Sequence, residues 1–198
     1  MINTFKLGLL AGAFAFASAG CATMEDNMDG MSTAMASNTV RVGGAEMYPT
    51  KTIVDNAANS PIHTTLVKAV KAAGLVDTLK GPGPFTVFAP TDEAFGRVPS
   101  STLNNLMMPS NKAALTKVLT YHVVPGRITA SDLAAKIRAG GGTATYTTVE
   151  GEPLTFKMMN GSVMLTGMGG SNAYVTQPDV MQSNGVIHVV NGVLLPSM

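Results

Sequence analysis

Near its end the 198-residue chain runs Val186-Ile187-His188-Val189-Val190, with apolar groups at both even and odd positions. Successive side chains of a strand point to opposite faces of its sheet, so this pattern demands cover on both sides, the condition of a central strand. The last ribbon of the chain is therefore expected in the middle of the fold, and a stop after Gly185 is expected to unfold the domain rather than trim it. A second apolar run, Phe85 to Ala89 (FTVFA), is β-branched and aromatic and reads as another buried strand.

The segment between Tyr48 and the first of these runs has helical texture. Ile53, Val54 and Ala57 recur at helical spacing. Ser60-Pro61 then offers an N-cap followed by proline at a first helical position, and the helix beyond places Ile62, Leu66, Val70 and Ala73 on one face. Gly74 closes it, Leu75 to Leu79 reads as a turn, and Gly81-Pro82-Gly83-Pro84 is a rigid loop. Thr91 caps a short helix through Phe95, Ser100 another through Leu106, and Ser110 a longer one through Thr120. Tyr121 to Val124 returns to strand, Pro125-Gly126 turns, and Ser131 to Ala139 is a last helix. The remainder of the chain is β: Thr143 to Thr148, Leu154 to Met159, Ser162 to Thr166, Ala173 to Thr176 and Val186 to Leu194. Asn160-Gly161 supplies the pair that a type I′ hairpin turn requires. Helices first and sheet pairing second indicate an α+β domain with a largely antiparallel sheet and helices packed on one side or end.

The beginning of the chain reads as targeting rather than structure. Lys6 is followed by eleven uncharged, mostly apolar residues, Leu7 to Ala17, whereas a permanent helical span needs about 20. Ala17-Ser18-Ala19 fits one cleavage pattern, while Ser18-Ala19-Gly20-Cys21 resembles a bacterial lipobox that would leave Cys21 as a lipid-modified N-terminus. The organisation expected is a signal peptide over 1–20, a flexible Met-rich tether over 21–47 and one domain over 48–198. Met24, Met28, Met31 and Met35 share a helical spacing that suits soft-metal ligation, yet Gly30 interrupts it, and an unspecialised spacer is the better reading.

Charge and cysteine content close off several functions. Thirteen basic and twelve acidic residues give a net charge of +1, so no broad basic surface exists to neutralise a nucleic-acid backbone. One cysteine cannot form an intrachain disulfide or supply a four-cysteine zinc site.

Three segments carry a resemblance. Thr86-Val87-Phe88-Ala89-Pro90-Thr91-Asp92-Glu93-Ala94-Phe95, then Tyr121-His122-Val123-Val124-Pro125-Gly126, then Asn184 through Pro196 are similar, in order, to the first conserved box, the Tyr-His element and the second conserved box of the fasciclin domain family. The resemblance runs from about Tyr48 to Pro196. It implies a compact wedge of two β-sheets with a packed helical layer, an extracytoplasmic setting, and adhesion or surface interaction as the function. It also marks Tyr121, His122, Val123 and Val124 as the adhesion candidate, against the alternative that Tyr121 and His122 pin the preceding helix to the sheet.

The residues beside that resemblance suggest no reaction. His63, His122 and His188 are the only imidazoles. His63 is expected to face solvent, and the other two, in strands among apolar neighbours, are expected to be hydrogen-bonded structural groups. Ser171 and Ser183 lack the Gly-x-Ser-x-Gly context of a nucleophile elbow, and Asp92-Glu93 and Glu150-x-Glu152 read as a helix start and a hairpin tip. The expectation is a non-catalytic, monomeric module without cofactor or metal, held to a membrane through lipid on Cys21 and facing a cell-surface, matrix or envelope component. The competing expectation is a soluble periplasmic binding protein for a small apolar ligand or metal.

Overall fold

A computed structural model describes residues 39–197; the expected signal peptide, Cys21 and the methionines of the expected tether, Met24, Met28, Met31 and Met35, lie outside the described residues. A hairpin, β1 (Val40–Val42) and β2 (Ala45–Met47), precedes three helices, α1 (Ile53–Asn59), α2 (Thr64–Ala73) and α3 (Val76–Lys80). Strand β3 (Phe85–Pro90) leads into α4 (Asp92–Gly96), α5 (Ser100–Met107) and α6 (Lys112–Tyr121). After β4 (Val123–Pro125) and α7 (Ala130–Ala139) come β5 (Thr143–Thr147), β6 (Pro153–Met159), β7 (Ser162–Thr166), β8 (Asn172–Gln182) and β9 (Gly185–Val190).

The last seven strands form one ladder in the order β4-β3-β9-β8-β7-β6-β5, antiparallel throughout except for β3 beside β9. The eleven-residue β8 serves two neighbours. Its first residues, Asn172 to Tyr174, pair with β7, and Val175 to Gln182 pair with β9 through two register shifts. Asp179, at φ 57°, sits in the second shift, and such bulges bend and twist a strand. The ladder is thereby folded along β8 into two sheets, the wedge that the resemblance implies.

The central position of the valine-rich ribbon is what the sequence demanded. All six residues of β9 are buried, as are the last five of β3. On one face Val87, Ala89, Ile187 and Val189 join Leu66, Val70, Leu115 and Leu119 of the helices in a first core. On the other, Phe88 and Val190 join Leu133, Ile137, Leu154, Phe156 and Leu165 in a second. The two strands also approach too closely for a side chain at the start of β9: a Cβ on Gly185 would lie 2.0 Å from the Phe85 carbonyl oxygen.

Several boundary readings need correction: Ser100 is the first residue of α5 rather than its cap, Ser110 lies in a 3-10 turn ahead of α6, whose N-cap is Asn111, and the strand read over Ala173 to Thr176 runs on to Gln182. The domain begins earlier than the expected boundary at Tyr48, because Val40 to Met47 form a hairpin whose Val42 and Met47 are buried in the first core. Ser60 does not cap α2: it ends α1, and its hydroxyl bonds His63 Nδ1 at 2.8 Å, so α2 starts only at Thr64. Leu75 to Leu79 is no turn but contributes most of the short helix α3. Tyr121 and His122 are not strand residues; Tyr121 ends α6 and His122 is its C-cap.

Candidate functional site

The Tyr-His element is the corner at which α6 becomes β4. The amphipathic pattern of α6 buries Leu115, Val118 and Leu119, and its register carries Tyr121 inward at the last helical position. The Tyr121 hydroxyl donates to the Pro153 carbonyl at 3.0 Å and accepts from the Met168 amide at 2.9 Å. One phenol thus ties the helix to the strand β6 and to the β7–β8 loop. Burial pushes this hydroxyl above its ordinary pKa, the Met168 amide opposes it, and the charges of Glu152 and Glu150 add to the rise.

His122 spans a longer gap in sequence. Its Nδ1 bonds the Val118 carbonyl at 2.8 Å, and its Nε2 accepts from the Leu194 amide at 2.9 Å. Since a carbonyl only accepts and an amide only donates, the ring must be neutral with its proton on Nδ1. Burial drives the imidazole pKa down to about 4, the Val118 carbonyl opposing the shift. Val123 and Val124 follow it on opposite faces of β4, one in each core. All four members of the expected adhesion element are buried, at 0% to 4% exposure, so the corner is a brace on which the surface above is laid.

The other imidazoles do not join it. His188 stacks on Phe88 in the second core, ring centroids 5.4 Å apart, while His122 borders the helical core. The His188 Nε2 bonds the Ile128 carbonyl at 2.8 Å and its Nδ1 accepts from the Asp179 amide at 3.3 Å, which fixes the opposite neutral tautomer. Burial lowers its pKa, opposed by the Ile128 carbonyl and the Asp179 charge. His63 corrects the solvent-facing expectation: it is 3% exposed, its Nε2 has no hydrogen-bond partner among the described residues, and burial lowers its pKa against the pull of Asp92 and the Ala89 backbone. Among the described residues no three His, Cys, Asp or Glu side chains gather as a metal site.

Ser171 and the carboxylates are engaged as well. Ser171 Oγ accepts from the Leu195 amide at 2.7 Å. Glu150 and Glu152 share Lys117, at 3.7 and 3.3 Å, and Glu152 also accepts the Ser197 amide, so this carboxylate pair fastens the C-terminal segment to α6. Asp92 lies in the first turn of its own helix α4, as read from the sequence, and in addition accepts the Thr64 and Thr65 amides at 3.2 and 2.7 Å, capping α2. Asp179, which no sequence motif singles out, accepts the Ala130 amide through Oδ1 at 2.8 Å and anchors the start of α7. The signal for it was Pro178, since proline inside a strand pattern marks an edge or a bulge.

An apolar cavity of about 40 Å³ lies between α1, α2, α3 and β3, lined by Ile53, Leu66, Val70, Leu79, Val87 and His122 among others. A cavity that takes up benzene measures about 150 Å³. The space is thus a packing gap rather than a ready receptacle for a small apolar ligand.

The fasciclin domain model matches residues 61–196. Protein sll1483 of Synechocystis sp. is 48% identical over 147 residues, which cover 74% of this chain and 74% of that protein. The cell surface glycolipoprotein MPB83 of Mycobacterium bovis is 31% identical over 145 residues, 71% of this chain and 58% of the relative. A solved FAS1 domain pair from the insect cell adhesion molecule fasciclin I matches with a TM-score of 0.67 at 20% identity, over 79% of this chain and 57% of that one, a likeness of fold. With the boxes, the buried corner and the two-sheet wedge in agreement, the chain belongs to the fasciclin domain family.

Proposed function

We infer that the protein is a non-catalytic, extracytoplasmic adhesion or surface-interaction module, attached to a membrane through lipid on Cys21. The observation that carries this reading is the commitment of His122 and His188, through both nitrogens of each ring, to backbone groups. A general base must reach a substrate proton, and these rings have no lone pair left to offer. Kinship with a cell surface glycolipoprotein supports the same class. Tyr121, His122, Val123 and Val124 enter it as the frame that fixes the shape of the adhesive surface, not as the contact itself.

Subcellular fractionation of wild type and Cys21→Ala tests the anchor: wild type is expected with membranes and the variant in the soluble fraction. Beads coated with the protein, presented to envelope and matrix preparations, test attachment. A wild-type protein recovered wholly soluble removes the lipid anchor, and beads that attach to none of these surfaces remove the adhesion reading.

A further inference from the structure

The outward face of the β5–β8 sheet carries threonine side chains aligned across its strands. Cross-strand partners point to the same side of a sheet, so the register defines the rows. One row is Thr145, Thr155, Thr166 and Asn172; the next is Thr143, Lys157, Met164 and Tyr174. All eight are exposed or half-buried, and neither row contains a carboxylate. At its β8 border the face runs into a cleft of about 330 Å³ whose polar lining is Tyr174, Asn172, Asn191, Ser171 and Arg97, over an apolar floor of Ala94, Val98 and Val193. That volume lies within the range of small-ligand sites, about 300 to 1,000 Å³.

The polar groups of this cleft are held in place from below. Asn191 Oδ1 accepts the Tyr174 amide at 2.9 Å, and Asn172 Oδ1 accepts the Thr166 hydroxyl at 2.8 Å. Both amide nitrogens therefore remain as donors. Among the described residues Arg97 is bound by Glu93 alone, an exposed i,i+4 pair at 3.3 Å that a ligand carboxylate can displace at little cost. Lys157 adds a second cation in the row that leads to Tyr174.

We propose that this face and its cleft bind an acidic polysaccharide, a uronate-bearing glycan laid across the strands with one sugar in the cleft against the Tyr174 ring. The assignment deepens the surface-interaction reading and rests on it. Hydroxyl rows offer donors and acceptors alike, the complement of a polyol. A protein partner would call for a desolvated apolar centre, which the rows lack. Strands spaced about 4.8 Å apart make four strands about 14 Å across, room for a polymer rather than a single ring. Two cations, two remaining amide donors and no carboxylate in the rows select a carboxylate-bearing chain over a neutral one.

The test is retention of the full-length protein, in detergent, on immobilised polygalacturonate, amylose and polyglutamate. Retention on polygalacturonate is expected to exceed that on both others. Tyr174→Ala is expected to weaken it about tenfold and Lys157→Gln about two- to fivefold. Both variants should keep the wild-type circular dichroism, and Lys68→Gln, on the helical layer, should bind as wild type. Absence of retention, equal retention on polyglutamate, or retention indifferent to both Tyr174→Ala and Lys157→Gln overturns the proposal. If beads still attach to envelope preparations in that case, only the glycan assignment is lost; if they do not, the adhesion reading falls with it.

Discussion

Acidification gives the sharpest test of the buried-imidazole argument. The folded His122 has a pKa of about 4, against an ordinary value of 6.5 in an unfolded chain. Between those values the unfolded state binds a proton that the folded state refuses, so stability must fall as pH falls from about 6.5 to about 4, and level off for this group below that. At pH 5 the difference amounts to about 2 kcal/mol from His122 alone, and its limit is about 3 kcal/mol. His63 and His188 are shifted in the same direction by the same cause and add to the loss. The carboxylates held low by hydrogen bonds, Asp55, Asp92, Asp132 and Glu152, destabilise on protonation too, but only below the ordinary carboxylate range. Urea unfolding at pH 7, 6 and 5 thus isolates the imidazoles. The midpoint should drop steadily, and imidazole resonances followed by NMR at pH 5 should show His122 still neutral. A midpoint unchanged between pH 7 and pH 5, or a protonated His122 in the folded protein at pH 5, would refute the reasoning.

Other perturbations act on single contacts. Gly185→Ala forces a methyl to within 2.0 Å of the Phe85 carbonyl oxygen and should cost roughly 3 kcal/mol in urea unfolding, or prevent folding. Tyr121→Phe removes the acceptor of the Met168 amide and the donor to Pro153; a loss of about 1 to 3 kcal/mol is expected, with faster hydrogen exchange at Met168 and unchanged circular dichroism. Thr129→Ala breaks the capping box that Thr129 forms with Asp132 at the start of α7 and should lower stability by about 1 kcal/mol. A chain stopped after Gly185 lacks the strand between β3 and β8 and should show no cooperative melting transition.

Much of the fold was legible where local chemistry and tertiary demand coincide. Thr91 caps α4 through the Ala94 amide at 3.2 Å, Gly74 ends α2 at φ 75°, and Asn160 and Gly161 turn the β6–β7 hairpin at φ 50° and 80°. In each, one residue type answers one backbone requirement. The failures arose where one signal had two legitimate outlets. Ser60 is a proper cap residue, but its hydroxyl found the His63 ring, and α2 began three residues later than a Ser-Pro start suggests. Tyr121 and His122 have strand-like neighbours in Val123 and Val124, yet the helical register of α6 extends one residue further because Tyr121 reaches both Pro153 and Met168. The β1–β2 hairpin carries too few apolar residues to announce itself; Val42 and Met47 are buried because the first core leaves room for them.

The site was less legible than the fold for a related reason. The recognisable Tyr-His box is a demand of the interior: two side chains satisfying four backbone groups, the carbonyls of Val118 and Pro153 and the amides of Met168 and Leu194. Buried polar groups must be matched, so such positions tolerate few residue types and stand out in a sequence. The outward positions of β5 to β8 carry no such requirement. Thr145, Thr155 and Thr166 alternate with buried neighbours as any solvated strand face does, and only the pairing register aligns them into a row beside Lys157 and Tyr174. A surface assembled from four strands separated along the chain has no local motif. Its chemistry becomes visible only once the bulged β8 has turned the two sheets against each other and set Tyr174 beside Asn191 and Arg97.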